Sequence, residues 1–120
     1  MGFRFRKFKI YNEIRSFIKD VYKLSAKLPK AEKYGLVDQI RRAATSIILN
    51  LAEGAGKPSD LDFNRFVMIS VGSVNEVVAI LDICLDQKYI NNKVHEEFLK
   101  KAENIVKQLY GLSRTLRKNS

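Results

Sequence analysis

Residues 52–62 read AEGAGKPSDLD, and Gly54-Ala55-Gly56-Lys57 carries the glycine–lysine pair with which a phosphate-binding loop ends. Such a loop has the pattern G-x-x-x-x-G-K-[ST] after a strand, so that backbone N–H groups and the lysine cradle phosphates while a hydroxyl holds magnesium. Here the first glycine position is Leu51, Pro58 stands where the hydroxyl should be, and the preceding segment has helical periodicity. Asp60 and Asp62 also occupy the helical turn whose dipole would otherwise favour an anion. The stretch is therefore expected to be a turn, with Gly54 and Gly56 ending one helix and Pro58 and Ser59 starting the next.

Other residue types capable of chemistry are sparse. His95 is the sole histidine, and a metal site or a Ser/His/Asp triad would require partners that no local spacing supplies. It is expected to be a solvated residue in the first turn of a helix. The single cysteine, Cys84, lies in the apolar run Ile83-Cys84-Leu85. One cysteine excludes an internal disulfide and a multi-cysteine metal site, and this one reads as a buried free thiol. Glu96-Glu97 and the pair Asp82 and Asp86 read as solvated faces, with Lys93, Lys100 and Lys101 nearby for helical pairing. The expectation is a protein without catalytic residues, metal or cofactor.

Charge is the strongest compositional signal. The 120 residues carry a net charge of +9, with 46% hydrophobic and 29% charged residues, the balance of one soluble globular domain. Residues 1–9 contain Arg4, Arg6, Lys7 and Lys9 and no acid, and residues 110–120 contain Arg114, Arg117 and Lys118 and no acid. Those segments hold seven of the 22 basic residues; the fifteen others face thirteen acids, so the chain between is nearly neutral. The interior uncharged runs Arg42 to Glu53 and Arg65 to Glu76 are about half of the ~20 residues that a membrane span needs. The basic N-terminus precedes no apolar signal-peptide core, and Arg6 stands where a myristoylation signal wants Ser or Thr. A cytoplasmic protein is expected.

The elements that must position these groups are helical. Ile10, Ile14, Phe17, Ile18, Val21, Leu24 and Leu28 step by three and four until Pro29. A second stripe runs from Leu36 to Leu51, whereas the third stretch, Phe63 to Cys84 after the cap-like Ser59-Asp60-Leu61-Asp62, is apolar on most of its circumference and is expected to contact more than one neighbour. The fourth runs from Val94 to Leu116. Short connections make successive helices antiparallel. The fold expected is an all-α, up-down-up-down antiparallel four-helix bundle over residues 10–117, between a basic N-terminal tail, 1–9, and a C-terminal tail, 118–120.

This topology gathers both termini and the turn after helix two at one end. Arg4, Arg6, Lys7, Lys9, Lys57, Arg114, Arg117 and Lys118 are thereby expected to form one cationic, nucleic-acid-binding end. Phe3, Phe5 and Phe8 are interleaved among the cations, where packing onto the bundle end is favoured over stacking on bases. The competing reading of the termini is a disordered, solubilising extension. On helix two, Gln39, Arg42, Ser46, Asn50 and Glu53 fall within about 80° of the wheel beside the apolar face. They form either an ordinary boundary row or a polar seam between helices or subunits, with Arg42 paired to Glu53 or to Glu76. Ser70, Gly72 and Ser73 would allow a close neighbour.

The segment LPKAEKYGLVDQIRRAATSIILNLAEGAG, followed by DFNRFVMISVGSVNEV, resembles the four-helix bundle proteins encoded in intervening sequences of 23S ribosomal RNA genes, also called an S23 ribosomal protein family. The motifs are LP-x-x-E-x-Y-G-L, Q-I-R-R-A-A-x-S-I, N-L-A-E-G, F-x-R-F and G-S-x-x-E, spanning residues 28–76 and including the polar row. The resemblance implies a homopentamer without a known reaction. It extends to accessory proteins of diversity-generating retroelements, which bind nucleic acid and a reverse transcriptase. Two departures stand out: Tyr11 where the family often has Trp, and an unusually basic F-R-F-R-K-F-K start. The leading expectation is a non-enzymatic, oligomeric binder of nucleic acid, RNA before DNA, acting through phosphate charge. The alternative is a protein-interaction scaffold or an accessory subunit for a polymerase such as a reverse transcriptase.

Overall fold

The computed structural model describes residues 2–119. Four helices, α1 (Lys9–Ala26), α2 (Leu36–Ala55), α3 (Asp60–Asp86) and α4 (Asn92–Lys118), account for nearly all of it, and no strand occurs among the described residues. Each helix packs on the next and α1 closes against α4, giving the up-down-up-down bundle. Its extents are 45 × 22 × 20 Å. The long dimension matches a 27-residue helix, which at 1.5 Å per residue is about 40 Å.

Local chemistry sets the helix ends. Ser59 Oγ accepts the Asp62 N–H at 3.1 Å, and Asn91 Oδ1 accepts the Val94 N–H at 2.9 Å, so α3 and α4 each begin with a side-chain cap. At the start of α2 no such residue is available, and Glu32 Oε1 instead accepts the Leu36 N–H at 3.4 Å. The far end of α3 closes through Lys88, at φ 64°, with the Tyr89 N–H donating to the Cys84 carbonyl at 2.9 Å. That left-handed closure is usually made by glycine.

The core runs the length of the bundle through Ile14, Phe17, Ile47, Leu51, Val74 and Leu109, all essentially inaccessible to solvent. The α2–α3 contact is the most extensive. Helix α3 is long and apolar enough to cross a membrane by length and composition, but 44% of its most apolar window is buried within the bundle. It packs against both α2 and α4, the two most extensive helix contacts of the fold.

Two local expectations are corrected. Gly54 does not terminate α2: it is buried in the last helical turn, and a Cβ there would lie 2.6 Å from Phe66 Cβ. It is glycine because α2 and the start of α3 approach closely, and the chain leaves the helix at Gly56. Part of the segment expected as a basic tail is also folded. Arg4–Lys7 form a 3-10 turn, and Phe8 stacks on Phe63 at 6.4 Å between ring centroids. Phe5 meets Tyr11 edge-on at 5.2 Å, whereas Phe3 stays exposed. Apolar ring burial draws this stretch onto the bundle.

Candidate nucleic-acid interface

The eight cations named from the sequence sit at the end where α1 begins, α2 meets α3, and α4 finishes. Phe63 in the first turn of α3 organises this end. The Arg4 guanidinium lies 5.3 Å from its ring centroid, and Phe8 covers it from the N-terminal segment. Lys57, in the α2–α3 turn, places Nζ 5.0 Å from the Phe66 ring. Ser113 Oγ donates to Asn64 Oδ1 at 2.5 Å, which ties the last turns of α4, carrying Arg114, Arg117 and Lys118, to the start of α3.

Arg6, Lys7, Lys9, Arg114, Arg117 and Lys118 are exposed. Lys9 Nζ is 3.9 Å from Glu13 Oε1 with the lysine side chain 85% exposed, a contact weak enough to leave its charge accessible. Helix α1 has no acid in its first turn and no side-chain cap, so cations surround a helix end that is already partly positive. The end is not purely cationic, because Asp60 and Asp62 occupy the first turn of α3 and Asp62 pairs with Arg65 at 3.1 Å. Those carboxylates neutralise the α3 terminus beside Lys57, and the Gly54–Lys57 stretch is helix end and turn, not a phosphate cradle.

The polar row divides in two. Asn50 Nδ2 donates to Ser46 Oγ at 2.9 Å, the Ser46 and Ser73 hydroxyls lie 2.8 Å apart, and Ser73 Oγ donates to the Ile69 carbonyl at 3.2 Å. Because Ser73 Oγ gives its single proton to the Ile69 carbonyl, it is Ser46 Oγ that donates to Ser73, and the chain of donors runs from α2 into α3. Below it, Ser70 Oγ donates to the Ile47 carbonyl at 2.8 Å. Gln39, Arg42 and Glu53 stay outside this seam, exposed. Arg42 pairs with Asp38 at 3.0 Å, which overturns the expected pairing with Glu53 or Glu76. Asp38 is one helical turn away, whereas Glu53 is eleven residues on, about 16 Å along the axis.

The apolar breadth of α3 is visible in the sequence, but not which apolar residues of α2 and α3 stay exposed. Leu49 is 64% exposed on α2, and Leu61, Met68, Ile69 and Ile83 are exposed on α3. A Cβ at Gly72 would meet nothing within 4 Å, so this glycine faces outward, whereas Ser70 and Ser73 are buried against α2. Helical phase relative to the buried stripe would have flagged Leu49 and Ile69.

The groups capable of chemistry are paired or buried. His95 is not solvated as expected: its side chain is 13% exposed and Nε2 lies 2.7 Å from Asp82 Oδ1, linking α4 to α3. Burial, then the Glu32 charge, pushes the Cys84 thiol up. Tyr89 Oη donates to Glu32 Oε2 at 2.9 Å, and that bond holds the phenol above its ordinary range. No group of three potential metal ligands occurs among the described residues.

The model of the 23S rRNA-intervening sequence protein family matches residues 6–111. The chain belongs to this family. Among solved structures, a protein of unknown function from the S23 ribosomal protein family of Bacteroides thetaiotaomicron superposes with a TM-score of 0.80 at 23% identity, over 87% of this chain and 97% of that one. This likeness concerns the fold. No curated protein matches the chain. The family match begins at Arg6 and ends at Gly111, so it includes the polar seam and leaves out Arg4 and the cationic last turns of α4.

Proposed function

We propose that this family member is a non-catalytic, cytoplasmic nucleic-acid-binding protein that grips phosphates, of RNA in preference to DNA, with the end built from Arg4, Arg6, Lys7, Lys9, Lys57, Arg114, Arg117 and Lys118. The observation that carries the reading is the placement of these charges, dispersed through the sequence, on three segments meeting around Phe63. Cations at this density repel one another in the free protein, and a polyanion relieves that repulsion while its counterions are released.

The exposed apolar face around Leu49 and Ile69 favours self-association as part of the same function. In a homopentamer each basic end would be repeated five times, and linked weak phosphate contacts would act together. The same face supports a second reading, in which a protein such as a polymerase docks there and supplies the activity.

Fluorescence anisotropy with labelled single-stranded RNA across a salt series tests the basic end. Because Phe8 and Arg4 pack on Phe63, removing residues 1–9 would also disturb the fold; Arg6→Gln, Lys7→Gln and Lys118→Gln together are the cleaner change. Each lost phosphate contact lowers the log–log salt slope by about 0.7 for a single strand, so a fall of about 2 is expected. An unchanged slope would remove this end as the binding site.

A further inference from the structure

The segment between the basic ends is nearly neutral in sum but not in arrangement. Arg15, Lys19 and Lys23 on α1 and Lys27 at its C-cap recur every fourth residue, all exposed. At 1.5 Å per residue the cations advance by about 6 Å along the axis. No acid occupies a position within this row, although like charges at this spacing oppose helix formation. The α1 acids point elsewhere: Asp20 accepts from Lys101 Nζ at 2.8 Å, and Glu13 accepts from Asn104 at 3.3 Å and from Gln108, all on α4. Asp20 and Glu97 border the row on its α4 side. The exposed charges of α4 before its cationic last turns are mixed in sign instead, as Lys93, Glu96, Glu97, Lys100, Lys101, Glu103 and Lys107. A solubilising surface needs no segregation of the kind α1 shows.

Aromatic rings border the same row. Tyr22 is 39% exposed, with the Arg41 guanidinium 4.7 Å from its ring centroid. Arg41 Nε donates to Ser25 Oγ at 2.8 Å and Ser25 Oγ donates to the Tyr22 carbonyl at 2.9 Å, so the ring has a fixed support. Tyr11 lies 5.6 Å from the Arg15 guanidinium. Asn12, Arg15, Ser16, Ile18, Lys19 and Tyr22 line one shallow depression, which combines cations, hydrogen-bonding groups and a ring edge.

We propose that the outer face of α1 is a track for a single nucleic-acid strand, whose successive phosphates meet Arg15, Lys19, Lys23 and Lys27 while a base stacks at Tyr22. A row of cations beside aromatic rings is the arrangement that holds single strands without reading sequence. The inference rests on the proposed nucleic-acid function and extends it, because Lys9 leads from the basic end onto α1 and the strand runs from there toward the α1–α2 connection.

The test compares native protein, the basic-end variant above, and the α1 variant Arg15→Gln, Lys19→Gln, Lys23→Gln. The probes are a labelled oligouridylate of about 12 nucleotides and an RNA duplex of the same length. Circular dichroism and elution volume establish that the variants keep the native fold and assembly. The α1 variant is expected to lose about 2 from the salt slope for the single strand, and Tyr22→Ala to weaken binding several-fold with the slope retained. A native slope in the α1 variant, with a flattened slope in the end variant, overturns the track and leaves the basic end standing. Preference for the duplex overturns the single-strand assignment, and absence of binding by native protein overturns both readings.

Discussion

An alanine methyl at Gly54 would meet Phe66 Cβ at 2.6 Å and Phe63 Cδ1 at 3.0 Å. Phe66 Cβ is fixed to the α3 backbone and cannot swing aside, and Phe63 is the ring on which Phe8 and Arg4 rest. Gly54→Ala therefore forces α2 and α3 apart at the basic end. Overpacking of this kind costs about 1–3 kcal/mol, despite alanine's better helix propensity. Urea unfolding should show that loss, whereas Gly72→Ala, which meets open space, should stabilise the helix by roughly 0.5–1 kcal/mol. If both substitutions stabilise, the close approach is not a constraint. Local sequence rules read Gly54 as a helix stop, because glycine, lysine and proline cluster after it; the identity of the ring it faces is a tertiary fact. His95 was misjudged for the same reason, since Asp82 lies on another helix.

The four helices were legible because apolar residues repeat at three and four residues in each, and the caps at Ser59 and Asn91 mark two starts. The polar row was legible as a row, but not its division. Ser46 and Asn50 enter the α2–α3 contact while Arg42 and Glu53 stay in solvent, and only the axial register of the two helices decides that. The shared hydroxyl chain predicts energetic coupling between helices. In a double-mutant cycle, Ser46→Ala and Ser73→Ala should couple by about 0.5–1.5 kcal/mol in unfolding free energy, because either change leaves the other hydroxyl with one partner fewer. Arg42→Ala should cost under about 0.5 kcal/mol in a dissociated chain, since its pair with Asp38 is solvent-exposed. Additive serine effects would reduce the seam to a boundary row.

At the scale of the whole molecule, the bundle places two surfaces of different chemistry on different parts of one short chain. Cations gather at one end and along α1, whereas the exposed apolar side chains gather on α2 and α3. The Ser46–Ser73 and Ser70–Ile47 pairings set Leu49 level with Ile69, so two half-exposed aliphatic chains sit together beside Met68 and Gly72. A soluble chain leaves such a patch open at a cost in solubility unless something covers it. A second copy is the occupant proposed above, and Leu49→Glu with Ile69→Glu tests it without touching the core. Light scattering after size exclusion should show the native protein as an oligomer and the double variant as a monomer, with helicity unchanged by circular dichroism. Affinity for long RNA should then fall toward that of one basic end, because linked sites no longer share a strand, while the salt dependence per chain persists. A double variant that keeps the native mass would place the subunit contact elsewhere. A native protein already monomeric at micromolar concentration would leave this face to a different protein, which favours the scaffold reading.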